Sequence, residues 1–388
     1  MDVDALLLSR IQFGFTVGFH ILFPTLTIGL AWFLLFFEAA WRRTQRDYWL
    51  ELYRFWVKIF ALTFGMGVVS GLVLSYEFGT NFSRFSDMAG PVLGPLLSVE
   101  VLTAFFVEAG FLGIMLFGWN KVGPGLHFLA TMLVALGTTN SAFWILSANS
   151  FMHTPQGAGW VEGQLVPQDW WAVVFNPSFP YRLSHMLLAS AITTALVVAG
   201  GSAWCLWKDV YRGAGLAGLR TAISVLAVAA PLQIAVGDLH GLNVREHQPV
   251  KVAAMEGLWE TTRGAPLLLF ALPDAAIEDN HFEIAIPRVA SLILTHDLDG
   301  EVQGLKSVAP ELRPPLIPVF FGFRIMVGLG ALFLLLAAWG VWRWIGRRLE
   351  QDRWMLRAFM VATPMGFVAT LAGWIVAETG RQPWLVHG

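Results

Sequence analysis

Long apolar blocks, separated by short polar segments rich in arginine, dominate the chain. Eight blocks reach the roughly 20 residues that a helix needs to cross a bilayer. They lie near 13–40, 54–78, 94–119, 123–149, 182–207, 217–237, 317–342 and 355–378. The pattern predicts an all-α, polytopic membrane helix bundle of about eight spans. The first block has no small-residue cleavage site and is too long for a signal-peptide core, so it reads as a retained span. Arg42, Arg43, Arg46, Arg54 and Lys58 follow the first block. Lys208, Arg212 and Arg220 follow the fifth, and Arg343, Arg347, Arg348, Arg353 and Arg357 the seventh. The loops after the second and fourth blocks carry only Arg84 and Arg182. Short basic loops stay in the cytoplasm, which places the N-terminus outside. The 238–316 segment then lies on the outer side as a folded loop within a single 1–388 unit. The Trp-, Pro- and Gly-rich 150–181 loop lies along the outer membrane surface. No internal repeat supports an inverted-repeat transporter.

Composition narrows the class. The 388 residues are 56% hydrophobic and 13% charged, with a mean hydropathy of +0.61, whereas soluble domains carry about 25% charge. A net charge of −2 without a basic tract gives nucleic acid no footprint. The single cysteine, Cys205, excludes an internal disulfide and a cysteine-ligated cluster. Eighteen Trp and thirty Phe suit a protein that packs flat rings or anchors at membrane interfaces.

Against this background, ionisable residues inside the blocks are the candidates for chemistry. Glu100 and Glu108 share the third block; eight residues are a little over two turns, so both project to roughly the same side, about 12 Å apart. Such carboxylates face a protein interior, a cofactor or a proton path, or stay protonated near a helix end. His20 and His185 lie near the outer ends of their spans. Each fits either a hydrogen-bonded interior residue or a haem-iron ligand. Met326 could complete a His–Met axial pair, and Arg324 beside it demands an anion such as a haem propionate. Those two residues are about 200° apart on a helix, so Arg324 would have to reach the edge of the ring. Trp374 and Glu378 share a helix face, and Glu378 fits a ligand or a plain helix-end carboxylate. Lys251 and Glu256, five apart after the sixth span, could hold a quinol head and take its protons, or form a solvated charged face.

Taken in order, these pieces resemble subunit I of the cytochrome bd family of membrane quinol oxidases. The resemblance rests on the early span with His20, on Glu100 and Glu108, and on Gly137-Thr-Thr-Asn-Ser-Ala-Phe-Trp. It continues through His185, Gln248-Pro-Val-Lys-Val-Ala-Ala-Met-Glu256, Phe323-Arg-Ile-Met326 and Gly380-Arg-Gln-Pro-Trp384. It spans essentially the whole chain. It implies a bacterial plasma-membrane subunit that oxidises quinol at the outer face and reduces dioxygen to water with cytoplasmic protons, contributing to a proton motive force. The resemblance implies His185 and Met326 as ligands of a low-spin haem b, with Arg324 stabilising it. It implies Glu378 as ligand of a high-spin haem b, with Trp374 packed nearby. His20 would ligate the oxygen-reducing haem, a haem d or a further haem b, with Glu100 on its other side. Glu108 and Ser141 would belong to the proton route. Lys251 and Glu256 would lie in the quinol-binding 238–316 loop, away from the proposed ligands. A second membrane subunit (subunit II) and a small single-span subunit are the implied partners. The short outer loop is similar to the cyanide-insensitive branch. The family continues with a ninth span beyond Gly388, so this sequence reads as a truncated product or fragment. The alternative is a membrane b-type cytochrome that passes quinol electrons to another protein. A transporter with proton-carrying carboxylates is the third reading.

Overall fold

The computed structural model describes residues 5–388. Among them, eight helical stretches are long and apolar enough to cross a membrane. The helices are α1 (Ala5–Thr44), α2 (Asp47–Gly79), α3 (Ser83–Glu100), α4 (Phe106–Phe117), α5 (Pro124–His153), α6 (Trp170–Val174) and α7 (Phe179–Lys208). They continue as α8 (Arg212–His247), α9 (Pro249–Glu256), α10 (Val289–Thr295), α11 (Leu316–Ile345), α12 (Arg353–Ala362) and α13 (Met365–Thr379). Among the described residues, three antiparallel strand pairs lie in the segments between spans: β1 (Ala158–Val161) with β2 (Gln164–Pro167), β3 (Thr262–Arg263) with β6 (Glu301–Val302), and β4 (Leu267–Asp274) with β5 (Asp279–Ile286).

The main core lies between α1, α2, α7, α8, α11 and α12, where Leu30, Leu34, Phe37, Phe60, Ile223 and Phe359 are fully buried. In lipid, apolar burial alone does not drive helices together, so close backbone approach and polar contacts between helices matter. The α1–α7 crossing shows both. Ser190 Oγ donates to the Thr25 carbonyl at 2.7 Å and accepts from the Gly29 N–H at 3.0 Å, inserting itself into the α1 backbone ladder. A β-carbon on Gly29 would lie 2.8 Å from the Ser190 carbonyl oxygen, so only glycine allows this approach.

Three features differ from the sequence expectation. The sixth helix runs ten residues past the predicted end, to His247. Asp238, His240 and Arg245 broke the apolar run without breaking the helix, so the segment after it begins at Gln248. The last span is two helices joined at Thr363 and Pro364, where proline cannot continue the backbone ladder. The third span starts at Ser83 and contains a π-helical turn, Val101–Phe105, between α3 and α4.

Candidate functional site

The π-turn sits between the two carboxylates found in the third span. Eight residues of regular α-helix would leave Glu108 rotated about 80° from Glu100. A π-turn closes i→i+5 bonds and turns less per residue, which reduces that offset. Ser141 Oγ of α5 donates to Glu100 Oε1 at 2.6 Å. One turn away, Gly137 gives Glu108 its room: a β-carbon there would lie 2.6 Å from Glu108 Cγ. Glu108 is buried, and its Oε1 has no hydrogen-bond partner among the described residues. The structure thus brings Glu100, Glu108 and Ser141 together along the α4–α5 seam.

His20 faces α2. Ser70 Oγ donates to the Gly67 carbonyl at 3.0 Å, so it accepts from His20 Nδ1–H at 2.9 Å. That bond assigns the tautomer and leaves the Nε2 lone pair free, as an iron ligand requires. Further out along the same seam, Gln12 and Thr16 donate to Glu77 Oε1 at 3.2 and 3.1 Å. Glu77 is a buried intramembrane carboxylate that sequence reasoning missed, although it ends an apolar run as Glu378 does.

A denser cluster surrounds Glu378 at the end of α13. Asn149 Nδ2 donates to Glu378 Oε1 at 2.8 Å, and Arg381 pairs with Oε2. His153 Nε2 stands 3.5 Å from Oε1. Arg182 Nη1 reaches Asn149 at 3.4 Å. Lys251 Nζ donates to the Ala377 carbonyl at 2.9 Å and to Gln248 Oε1 at 3.3 Å. Gly380 admits it, since a β-carbon there would lie 2.8 Å from Lys251 Cε. Lys251 is therefore neither a solvated surface lysine nor remote from the proposed ligands: it is 3% exposed and abuts the residue before Glu378. Burial among cationic neighbours pushes its ammonium well below the usual lysine range. Sequence reasoning missed Asn149, His153 and Arg182 here; a polar stripe at the end of α5 was the available signal.

His185 packs against α8, with its ring 5.7 Å from His240 and its Cε1 3.4 Å from where a Gly237 β-carbon would be. Met326 packs against α13, its sulfur 2.9 Å from the corresponding point on Gly373, beside Trp374. Each of the two proposed ligands thus meets a different neighbouring helix. Arg324 turns the other way. Its guanidinium donates to the carbonyls of Leu268 (3.0 Å), Glu256 (3.4 Å) and Met255, and stacks on the Phe320 ring. An arginine on the last carbonyls of a helix complements its dipole, and here it ties α9 and β4 to α11. Glu256 is buried beside it; burial pushes its carboxyl up to about 7 against the opposing pull of Arg324. Lys251 and Glu256 therefore face different partners.

The donor set can be tested against haem. Arg182 and Arg381 are buried around the single carboxylate of Glu378, an excess of one positive charge even without Lys251. Arg182 Nε and Arg381 Nε and Nη1 lack protein partners among the described residues. Buried cations need anions, and the propionates of a macrocycle held between helices are anions of suitable geometry for guanidinium. His185 Nδ1 and His240 Nε2 are likewise without protein partners. The residues present fit haem.

The comparisons with known proteins agree with this chemistry. Residues 8–388 match the family described as cytochrome bd terminal oxidase subunit I. The chain is 35% identical over 397 residues to cytochrome bd ubiquinol oxidase subunit 1 of Bacillus subtilis, covering 100% of this chain and 85% of that one. It is 32% identical over 454 residues to cytochrome bd-II ubiquinol oxidase subunit 1 of Escherichia coli, covering 99% and 88%. Its fold superposes on the bd oxidase of Geobacillus thermodenitrificans with a TM-score of 0.91 at 32% identity, covering 99% of this chain and 89% of that one. The chain belongs to the cytochrome bd terminal oxidase subunit I family, multi-pass quinol:oxygen oxidoreductases of the bacterial plasma membrane.

Proposed function

We propose that this chain is the haem-carrying subunit of a terminal oxidase that takes electrons from quinol on its outer side and delivers them to dioxygen with protons drawn from the cytoplasm. The observation that carries the reading is the buried cluster around Glu378, whose surplus positive charge and orphaned guanidinium donors suit haem propionates. Bound haems would supply the redox steps and the site of oxygen reduction. His185 and Met326 would hold a low-spin haem b. Glu378, with Trp374 packed one turn below, would hold a high-spin haem b. His20, with its tautomer set by Ser70, and Glu100 would hold the third haem, of b or d type.

The remaining roles belong to this chain's own groups. Glu256, buried and close to half-ionised at neutral pH, takes a proton from quinol bound at the outer 248–316 segment. Lys251 hydrogen-bonds the quinol side of the cluster and also braces the α13 backbone at Ala377. Arg324 fixes the end of α9, and so the carboxylate of Glu256, against the helix that carries Met326. Glu108 receives protons from the cytoplasmic side and passes them along α5 towards Ser141 and Glu100. The N-terminus lies outside in this arrangement, consistent with the Arg-rich connections after α1, α7 and α11. The outward faces of α2 and of α3–α4, where only 17% of each apolar window is buried, suit lipid and a second membrane subunit.

The test is quinol-driven oxygen consumption by the purified complex, measured with pyridine-haemochrome and reduced-minus-oxidised spectra. Oxygen consumption with three haems per complex is the expected result. Haem spectra without oxygen consumption would leave an electron-transfer cytochrome, and no haem at all would return the transporter reading.

A further inference from the structure

The β4–β5 hairpin is apolar on both of its faces. One face carries Leu268 and Ala271, buried with Phe320 of α11. In water the opposite face would be polar, because an antiparallel pair packed on one side alternates hydrophobic-in with polar-out. Here it is not. Phe270 stands opposite Ile284, and both are exposed, as are Leu269, Leu272, Phe282 and Ile286. Glu283, between Phe282 and Ile284, is turned to accept from Asn280 Nδ2 at 2.8 Å. A contiguous exposed apolar patch of this kind marks an interaction surface.

The level of the hairpin is set by α11. Ile317, Phe321 and Ile325 recur every four residues and form one stripe along that helix. Ile317 and Ile325 are exposed, on a helix apolar enough to cross a membrane. The Phe270 ring lies 6.3 Å from that of Phe321, in the middle of the stripe. Close by, the Leu268 carbonyl accepts from Arg324 Nε at 3.0 Å. The turn of the hairpin points the other way: Glu278 accepts from Arg313 Nη1, ahead of the helix, at 2.6 Å and stands 3.8 Å from Lys306. The hairpin thus runs down α11, from charged groups before its first turn to Arg324, about 12 Å along the axis from Leu316. Its outward face continues the apolar stripe, and its charged turn stays at the end that leaves the bundle. Phe282 adds an independent sign. It is 77% exposed at a φ of +55°, a left-handed backbone in which a bulky side chain is strained. Burial in an apolar medium would offset that strain, and water would not.

We propose that the outward face of this hairpin is a membrane-docking surface, immersed in the interfacial layer of the leaflet at the Leu316 end of α11. Phe270, Phe282 and Ile284 lie against the acyl-chain boundary, and the turn with Glu278 stays in water. The partner is the lipid bilayer itself, because the face is continuous with the exposed stripe of a spanning helix. Apolar side chains in the interface anchor in proportion to the area they bury.

The test uses the intact oxidase complex, with Cys205→Ser as the parent, reconstituted in phosphatidylcholine vesicles. Phe282→Cys and Ile284→Cys are each labelled with a nitrobenzoxadiazole fluorophore, and Ala276→Cys, in the turn, is the aqueous control. The signal of the labelled parent is subtracted, and haem spectra matching the parent certify that each complex is folded. Phosphatidylcholine carrying a doxyl group on its acyl chain should quench the labels at 282 and 284, whose emission should shift to the blue. Aqueous iodide should leave both bright. At 276 the order should reverse. Quenching at 282 and 284 by iodide in place of doxyl lipid would put the face in water. Quenching by neither would mean that protein covers it, a second copy or another subunit. Either result, or a label at 276 quenched by lipid as strongly as the one at 282, would overturn the assignment.

Discussion

Glu256→Gln is the perturbation whose outcome the structure specifies most fully. Glu256 is buried at the end of α9, and burial lifts its carboxyl to about 7 while Arg324 pulls it down. A rise from an ordinary value near 4.5 to about 7 is a preference of about 3 kcal/mol for the neutral form. A proton acceptor must be ionised, so the acid limb of quinol oxidation should fall as pH drops through about 7. At pH 6 such a group is roughly one-tenth ionised, whereas an unperturbed glutamate would be almost fully ionised. Wild-type kcat/KM at pH 6 should therefore be about a tenth of its alkaline plateau. Glu256→Gln should lower the plateau by about 10²-fold or more and abolish this limb, since the amide cannot titrate. The sign can be checked independently. Arg324→Gln removes the attraction that lowers the Glu256 pKa, so the limb should move to higher pH, and Arg324→Lys should largely restore it. Quinol-driven oxygen consumption across pH 5–9, with haem spectra taken at each point, is the assay. An unchanged acid limb in Glu256→Gln, or a limb shifted to lower pH in Arg324→Gln, would refute the reasoning.

The other predictions concern the haem ligands and the proton seam. Met326→Leu conserves volume and should keep the fold while removing the low-spin signal or lowering its potential; an unchanged spectrum excludes Met326 as a ligand. Gly373→Ala should disturb the same signal, because its β-carbon would sit 2.9 Å from the Met326 sulfur. Lys251→Ala should alter the high-spin spectrum as well as turnover, since Lys251 bonds the backbone beside Glu378; a purely kinetic defect would assign Lys251 to quinol alone. Glu108→Gln should slow oxygen reduction and spare the low-spin haem, whereas Glu100→Gln should also change the high-spin spectrum. Oxygen consumption at the parent rate in Glu108→Gln would remove it from an obligatory proton path.

How much of this was legible in the sequence depended on the distance over which the deciding contact acts. Hydropathy revealed all eight spans because a bilayer imposes length and apolarity on each span separately. It stopped too early at the sixth because charges end a hydropathy run long before they end a helix. Glu100 and Glu108 stood out because a carboxylate in lipid needs a reason, whereas Ser141 entered only through the family resemblance. Lys251 was the opposite case. In a polar-looking segment it resembled a surface lysine, and the groups that bury it come from α5 and α13, 98 and 126 residues away. Arg324 likewise suggested a propionate partner by its location, yet its donors are occupied by backbone carbonyls from a segment whose path the sequence did not specify. The π-turn left no periodic signature.

The π-turn also has a bearing on how this helix tolerates changes in length. One residue more than a regular turn requires is stored there, so the third span behaves as an α-helix that has absorbed an insertion. Deleting a single residue from Val101–Phe105 would not chiefly shorten the span. It would let the regular winding return, and the seven steps then left between the two carboxylates make about 700°, within about 20° of two full turns, so Glu108 would keep nearly its present bearing. Glu108 would then stay on the Gly137 side of the helix, and Glu100 would keep its bond to Ser141. The spare residue thus lets eight positions do the angular work of seven, and the relative bearing of the two carboxylates survives its loss.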